Sequence, residues 1–180
     1  MEYVKTALQD AYILQPKVFG DERGFFLESF RHSSFVENCG DYSFVQDNHS
    51  KSKKGILRGL HYQLNRPQGK LVRVTSGEVY DVIVDLRQSS SSYGQWIGVT
   101  LNATNMQMLW VPPGFAHGFY TVSDEAEFQY KCTDYYNPGD EYSILWNDQE
   151  LAINWPCDAL PVLSLKDAEG MSYSNAPKLL

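Results

Sequence analysis

The sequence contains few cysteines and no long apolar run. Its three cysteines, Cys39, Cys132 and Cys157, are an odd number, and none of them belongs to a Cys-x-x-Cys pair. This pattern argues against a zinc ribbon or a thioredoxin-type centre, and it favours reduced thiols in the cytoplasm. No apolar stretch approaches the roughly 20 residues of a membrane-spanning helix. The first residues also lack the basic and apolar regions of a signal peptide, so we expect none.

Acidic residues are missing from one stretch in the middle of the chain. The net charge is −7, yet no Asp or Glu occurs from Ser50 to Gly77. The stretch carries a charge of +7, so the rest of the chain carries −14. The basic residues of the stretch are Lys51, Lys53, Lys54, Arg58, Arg66, Lys70 and Arg73. The whole chain would repel nucleic acid, but the basic stretch can hold a small phosphorylated ligand. For the three lysines at 51–54, a solvated hairpin tip is an equally open interpretation.

Helical patterns are scarce, and β-rich runs dominate. Only 32–39, followed by Gly40, and the tail after Asn154 predict short helices. The chain shows no repeat, linker or change of composition, so we expect one domain over residues 1–180. Many short strands between turns predict an all-β jelly-roll barrel with a ligand cavity in its mouth. The candidate strands are 12–18, 25–30, 42–47, 56–63, 70–76, 79–86, 96–101, 107–111, 117–122, 126–134 and 142–146.

Two of the four histidines lie in segments that suit a site. His61 lies in a strand-like run, and Pro112 to His117 has the Pro-x-Gly-x-x-His spacing of the second motif of cupins. Metal-binding cupins offer His-x-His and then Glu in their first motif. Here Gln63 takes the second His position, and the next charged residues are Arg66 and Lys70. Because two histidines beside cations make a poor divalent site, we expect no metal.

Without a metal, another group has to stabilise any negative charge that develops in the cavity. Lys70 can do this electrostatically. His61 is suited to removing a proton near neutral pH, although a hydrogen-bonded structural role is commoner for a lone His. A base needs an orienting carboxylate, and the sequence alone leaves Asp81, Asp85 and Asp167 open.

The strand-like run 126–133 contains a candidate acid. Period-two alternation puts Phe128, Tyr130 and Cys132 on one face, so Tyr130 points inward if the strand lines the barrel. A phenol can donate a proton to a carbanion. A buried Tyr bonded to the backbone is the commoner case for a Tyr taken at random.

The same alternation raises a difficulty in 56–63. There His61 shares a face with Leu57 and Gly59, whereas Arg58 lies on the opposite face. If Arg58 and His61 both serve a ligand, Gly59 predicts a bulge that re-aims one of them.

A series of short segments, in order along the chain, carries distinctive motifs. They are Phe19–Glu28, Phe44–Ser50, Leu57–Gln63, Gln68–Arg73, Gly77–Val82, Gly94–Trp96, Val111–Phe119, Tyr130–Lys131, Tyr135–Tyr136, Ile144–Asp148, Trp155–Pro156 and Leu163–Asp167. Together they resemble the dTDP-4-dehydrorhamnose 3,5-epimerase family. The resemblance runs from about residue 3 to about residue 168, and the tail 169–180 matches no motif.

This resemblance implies a cupin-like jelly roll and a homodimer that exchanges N-terminal strands. It implies epimerisation at C3 and C5 of dTDP-4-dehydro-6-deoxy-D-glucose to dTDP-4-dehydro-L-rhamnose, without a cofactor. That step leads to dTDP-L-rhamnose, a precursor of bacterial cell-surface polysaccharide such as lipopolysaccharide. We therefore expect a nucleotide-sugar partner, and neither nucleic acid nor a membrane. The alternatives are a single-centre epimerase, a 3,4-ketoisomerase, a metal-dependent cupin enzyme and a non-catalytic binder.

The resemblance also implies roles for individual residues. His61 matches the base, Tyr130 the acid, Asp167 the carboxylate that orients the base, and Lys70 the lysine near the C4 oxygen. Tyr136 matches the aromatic residue that stacks on thymine. Other positions match ligand contacts, namely Arg23, Glu28, Gln46, Asp47, Asn48, Arg58, His117, Glu141 and Lys166.

Overall fold

Antiparallel strands are the main regular elements of the computed structural model, which describes residues 1–179. In chain order the elements are β1 (Glu2–Lys5), β2 (Tyr12–Gln15), β3 (Val18–Asp21), β4 (Gly24–Leu27), α1 (His32–Cys39), β5 (Gln46–Lys53), β6 (Leu57–Gln63), β7 (Lys70–Ser76), β8 (Glu78–Asp85), β9 (Trp96–Asn102), β10 (Met108–Val111), β11 (Phe115–Thr121), β12 (Glu125–Cys132), β13 (Glu141–Ser143) and α2 (Leu165–Ala168). A short 3-10 turn, Pro138–Asp140, precedes β13.

Two main sheets form the body of the molecule. The first has the order β1-β2-β10-β7-β12-β5, and the second has the order β13-β6-β11-β8-β9. Their inner faces share one apolar core, in which Val72 and Phe128 of the first sheet meet Ile83 and Phe119 of the second. The Phe119 and Phe128 rings stack with centroids 4.3 Å apart. The arrangement is the cupin-like jelly roll that the sequence predicts.

Each sheet also has a covered outer face. On the first sheet, the buried Phe35 of α1 packs edge-on against Trp110, with ring centroids 4.8 Å apart. On the second sheet, the C-terminal tail covers Leu57 and Leu60 with the buried side chains of Tyr173 and Ala176. Helix α1 thus covers the outer face of the first sheet, and the C-terminal tail covers the outer face of the second.

The strand predictions held best where apolar residues alternate. The predicted strand at 42–47 was wrong in position. The strand in this region is β5, Gln46–Lys53, which pairs with β12 and forms the edge of its sheet. All eight residues of β5 are polar or charged, so it has no apolar period to reveal it. Phe44 packs instead against Phe35 of α1, and Tyr42 packs against Trp110. The edge strand β1 was not predicted, whereas helix 32–39 and its end at Gly40, with a φ of +105°, were confirmed.

The hairpin formed by β3 and β4 makes a separate two-stranded sheet. Its aromatic side chains are turned to solvent, since Phe25 is 64% exposed and Phe26 is 70% exposed. Such a hairpin buries little of its own apolar surface.

No helix within residues 1–179 has both the length and the apolar character needed to cross a bilayer.

Candidate active site

A cavity of about 430 Å³ opens between the sheets. Strands of both sheets line it, and the chain from β13 to α2 closes one side. The lining residues are Gln46, Asn48, Ser50, Arg58, His61, Gln68, Lys70, His117, Gly118, Phe119, Phe128, Tyr130, Tyr136, Glu141, Ser164, Lys166 and Asp167. Most of the polar residues that the resemblance singled out therefore lie around one cavity.

A bulge in β6 turns both Arg58 and His61 towards this cavity. On the neighbouring strand β11, His117 pairs with His61 and Phe119 pairs with Arg58, so β6 has one extra residue between the two pairs. Gly59 lies in that interval with a φ of +118°, and a Cβ atom there would lie 2.6 Å from the Cα atom of Gly118. The predicted bulge is confirmed, and only glycine fits at its centre.

His61 is held by a carboxylate from the far end of the chain. Its Nε2 atom lies 2.5 Å from Oδ1 of Asp167, and the hydroxyl of Ser164 donates to Oδ2 at 2.6 Å. The backbone N–H of Gly59 also donates to Oδ1, at 3.2 Å. Burial alone would raise the pKa of Asp167, but the hydrogen bonds from His61 and Ser164 lower it to about 2. Because Nε2 is engaged with this carboxylate, Nδ1 is the nitrogen left for a ligand.

The structure separates the three aspartates that the sequence left open. Asp167 bonds His61, whereas the buried Asp81 lies 2.9 Å from Nε2 of His117. Asp85 accepts hydrogen bonds from Arg87 and neighbouring serines, away from the cavity lining. The cavity thus contains two imidazoles, each fixed by its own aspartate.

Lys70 and Tyr130 bring an amine and a phenol to the same cavity. They lie on the neighbouring strands β7 and β12, and both line the cavity. Burial lowers the pKa of Lys70. Burial also raises the pKa of Tyr130, and the charge of Glu141 adds to that rise. A phenol with a raised pKa keeps its proton at neutral pH, so Tyr130 is available as a proton donor.

A second polar cluster borders the cavity near its opening. Glu141 accepts a hydrogen bond from the Tyr136 hydroxyl at 2.6 Å and forms an ion pair with Lys166. Oε1 of Glu141 lies 3.9 Å from Nδ1 of His61. Burial alone would raise the pKa of Glu141, but the bonds from Lys166 and Tyr136 lower it below the ordinary value.

Three of the predicted ligand contacts do not line this cavity. Arg23 lies in the hairpin turn between β3 and β4, where it pairs with Asp21. Glu28 pairs with Arg31 at 2.8 Å, and Asp47 pairs with Lys131 at 3.1 Å on the outer side of the sheet. Their roles stay predictions. The lysines at 51–54 also lie outside the cavity lining, and Lys51 pairs with Glu125.

Three polar side chains that sequence reasoning did not single out also line the cavity. They are Ser50, Gln68 and Ser164. Ser164 had a detectable signal, because Ser164 and Asp167 have the Ser-x-x-Asp spacing of a helix N-terminus. In the structure Ser164 indeed caps α2 and accepts from the backbone N–H of Asp167 at 3.2 Å.

No group of three or more His, Cys, Asp or Glu side chains in residues 1–179 is arranged to hold a metal ion. The expectation that the site works without a metal stays a prediction.

Comparison with known proteins agrees with the motifs. A family model described as dTDP-4-dehydrorhamnose 3,5-epimerase matches residues 5–175. The dTDP-4-dehydrorhamnose 3,5-epimerase of Salmonella typhimurium is 59% identical over 170 residues, which cover 93% of each chain. The protein of the same name from Neisseria gonorrhoeae is 54% identical over 178 residues. Those residues cover 99% of this chain and 54% of that relative, so this chain spans about half its length.

A solved structure extends the likeness to three dimensions. It is the crystal structure of a dTDP-6-deoxy-D-glucose-3,5-epimerase from Legionella pneumophila in complex with dTDP-4-keto-L-rhamnose, and it is 50% identical to this chain with a TM-score of 0.95. The match covers 98% of this chain and 94% of that one. This chain therefore belongs to the dTDP-4-dehydrorhamnose 3,5-epimerase family.

Proposed function

We propose that the chain epimerises C3 and C5 of dTDP-4-dehydro-6-deoxy-D-glucose and forms dTDP-4-dehydro-L-rhamnose, a step towards dTDP-L-rhamnose. One observation carries the proposal: the imidazole of His61, held by Asp167, lines a single cavity together with the phenol of Tyr130 and the amine of Lys70.

The reaction requires these three chemical types. C3 and C5 both flank the C4 ketone, so loss of a proton from either carbon leaves a carbanion that delocalises onto the C4 oxygen. Inversion needs a base on one face of the sugar and an acid on the other. His61 acts as the base through Nδ1, and Tyr130 delivers a proton to the opposite face.

The remaining polar groups stabilise charge in this scheme. Lys70 stabilises the enolate oxygen, a contribution that can reach about 3 kcal/mol for one well-placed donor. Asp167 fixes the tautomer of His61 and stabilises the imidazolium that forms. Arg58 and Lys166 supply positive charge for the diphosphate.

The position of Arg23 supports a homodimer. Arg23 and Glu28 match ligand contacts of the family, yet they lie on or beside an exposed hairpin and not in their own cavity. In a dimer that exchanges N-terminal strands, the hairpin brings these side chains to the cavity of the second copy. Its exposed aromatic rings supply the apolar contact that such an exchange needs.

The three thiols support a cytoplasmic location. Cys39, Cys132 and Cys157 are free in the structure, as expected in a reducing compartment.

The test is proton exchange in deuterated water with the purified chain and its dTDP-4-keto sugar. We expect deuterium at both C3 and C5, with inversion at both carbons and full activity after exhaustive chelation. Label at C3 alone would indicate a single-centre epimerase, and movement of the ketone would indicate a ketoisomerase. Loss of activity on chelation would indicate a metal-dependent enzyme, and binding without exchange would indicate a non-catalytic protein.

A further inference from the structure

Two inversions on one bound sugar pose a problem for a single base. After the first inversion His61 carries a proton and Tyr130 has lost one, so neither group can repeat its step. The base has to lose its proton before the second carbon reacts. The inference that follows rests on the proposed function and concerns the route of that proton.

His61 cannot release this proton to solvent through Nε2. That atom faces Oδ1 of Asp167 at 2.5 Å, and that carboxylate is buried and already accepts from Ser164 and from the backbone N–H of Gly59. These hydrogen bonds keep Asp167 ionised in a position closed to water. Asp167 therefore orients the imidazole and does not carry its proton to solvent.

Nδ1 is the atom that receives the proton, and the sugar covers it during the reaction. In residues 1–179, one carboxylate lies within 4 Å of Nδ1, namely Glu141, whose Oε1 atom is 3.9 Å away. The side chain of Glu141 is only 12% exposed, so its charge acts on His61 with little screening by water.

Glu141 also connects the base to solvent. Its Oε2 atom accepts from the Tyr136 hydroxyl at 2.6 Å and pairs with Lys166. The side chain of Lys166 is 45% exposed and Tyr136 is 49% exposed, so these partners reach water at the cavity opening. They leave Oε1, the atom nearer His61, free of hydrogen-bond donors within the described chain.

We propose that Glu141 is a proton relay that resets His61 between the two inversions. Once Oε1 moves from 3.9 Å to within hydrogen-bond distance of Nδ1, the Nδ1–H bond of the imidazolium breaks and an O–H bond forms on Oε1. This step leaves neutral imidazole and a neutral carboxyl group. Water at the opening then takes that proton, and the phenolate of Tyr130 regains one from the same solvent. Charge and protons balance over the cycle, with water as the only co-reactant. The ion pair with Lys166 favours the carboxylate, so Glu141 passes the proton on and does not keep it.

The test compares the two exchange rates within one turnover. Enzyme in excess is mixed with the keto sugar in deuterated water, and rapid quenching followed by NMR gives the rates at which the first and second carbons acquire deuterium. In Glu141→Gln we expect the ratio of the first rate to the second to rise about 10²-fold, the lower range for loss of a proton-transfer group. The sugar with one inverted centre should accumulate. Weaker binding or partial unfolding lowers both rates together and leaves the ratio unchanged.

Two controls isolate the carboxylate. Tyr136→Phe and Lys166→Met each remove one hydrogen-bond partner of Glu141 and keep its charge, so the ratio should rise far less in them. In Glu141→Ala, added formate supplies a free carboxylate and should accelerate the second exchange. Any of three results would overturn the relay. The ratio could stay at the wild-type value in Glu141→Gln, it could rise equally in the control variants, or added formate could leave the rate of the second exchange unchanged in Glu141→Ala. Wild-type chain that exchanges neither carbon would instead overturn the proposed function.

Discussion

Oδ1 of Asp167 lies 2.5 Å from Nε2 of His61, although 106 residues separate them in the sequence. The pair forms because α2, only four residues long, places its N-terminal turn against the bulge in β6. Ser164 caps that helix and also bonds the carboxylate, so the helix end and the dyad stabilise each other.

Replacing the carboxylate tests its role in catalysis. Asp167→Asn keeps the size of the side chain but removes the charge that stabilises the imidazolium, so we expect kcat to fall by about 10²-fold or more with a smaller change in KM. Steady-state kinetics measure both constants. Ser164→Ala is the matched control, because it removes the two hydrogen bonds between Ser164 and Asp167 but keeps the charge of the carboxylate, and it should lower kcat less. Equal losses in the two variants would contradict a specific role for the charge.

The same residue predicts a pH dependence of stability. The pKa of Asp167 falls from an ordinary 3.8 to about 2 on folding, because burial, which alone would raise it, is outweighed by bonds from His61 and Ser164. A depressed pKa means that the ionised form stabilises the fold fully above pH 3.8, and that this contribution is lost as the pH falls towards about 2. Urea unfolding of wild type and Asp167→Asn should therefore differ at pH 7 and converge near pH 2. A constant difference across that range would assign the effect to packing.

Tyr130 and His61 have separable roles in exchange and inversion. Tyr130→Phe removes the proton donor, so deuterium should still enter the sugar on the face of the base while inversion stops. His61→Ala should abolish exchange at both carbons. NMR of the sugar in deuterated water reports exchange and configuration in one experiment. Inversion at the wild-type rate in Tyr130→Phe would refute its role as the acid.

Strand alternation was informative wherever a strand buries one face. It placed Tyr130 on the cavity side of β12, and its conflict at Arg58 and His61 predicted the bulge at Gly59. It failed for β5, where eight polar residues form an edge strand without an apolar face. The physical reason is that alternation reports burial, and this edge strand is held mainly by backbone hydrogen bonds to β12.

Pairings between distant segments could not be read from local pattern. Sequence reasoning alone left Asp81, Asp85 and Asp167 as possible partners of His61, and only the resemblance favoured Asp167. The structure assigns Asp81 to His117 and Asp85 to Arg87. Such contacts depend on how the C-terminal segment packs against the barrel, which no period in the sequence encodes.

Gly59 gives a test of the bulge itself. In Gly59→Ala the new Cβ atom would lie 2.6 Å from the Cα atom of Gly118 and 2.7 Å from the carbonyl oxygen of His117, both backbone atoms. We expect loss of stability and of activity together. Gly55→Ala is the control, because Gly55 also has a positive φ, +82°, but has open space around it. Both variants carry the cost of a positive φ at a residue with a side chain, about 1–3 kcal/mol. Only Gly59→Ala adds the backbone clash, so urea unfolding should show a larger loss of unfolding free energy for it. Equal losses would mean that the close approach to β11 is relaxed at no cost.

The exposed hairpin predicts that Arg23 acts on the cavity of a second copy. The side chain of Arg23 is 89% exposed in its own chain, and Phe25 and Phe26 beside it are turned to solvent. We expect a dimer by light scattering, and we expect Phe25→Ser combined with Phe26→Ser to weaken it. Arg23→Ala should raise KM without changing the mass.

Mixing two impaired variants decides whether Arg23 acts in trans. If it does, a mixed dimer of Arg23→Ala and His61→Ala has one cavity with both changes and one cavity with neither. After subunit exchange at equal concentrations, half of the dimers are mixed, so at low substrate concentration activity should recover to about a quarter of wild type. If Arg23 serves its own cavity, every cavity in the mixture has one defect, and the activity stays at the mean of the two separate variants. That result would reject the exchanged dimer, whatever the mass of the particle.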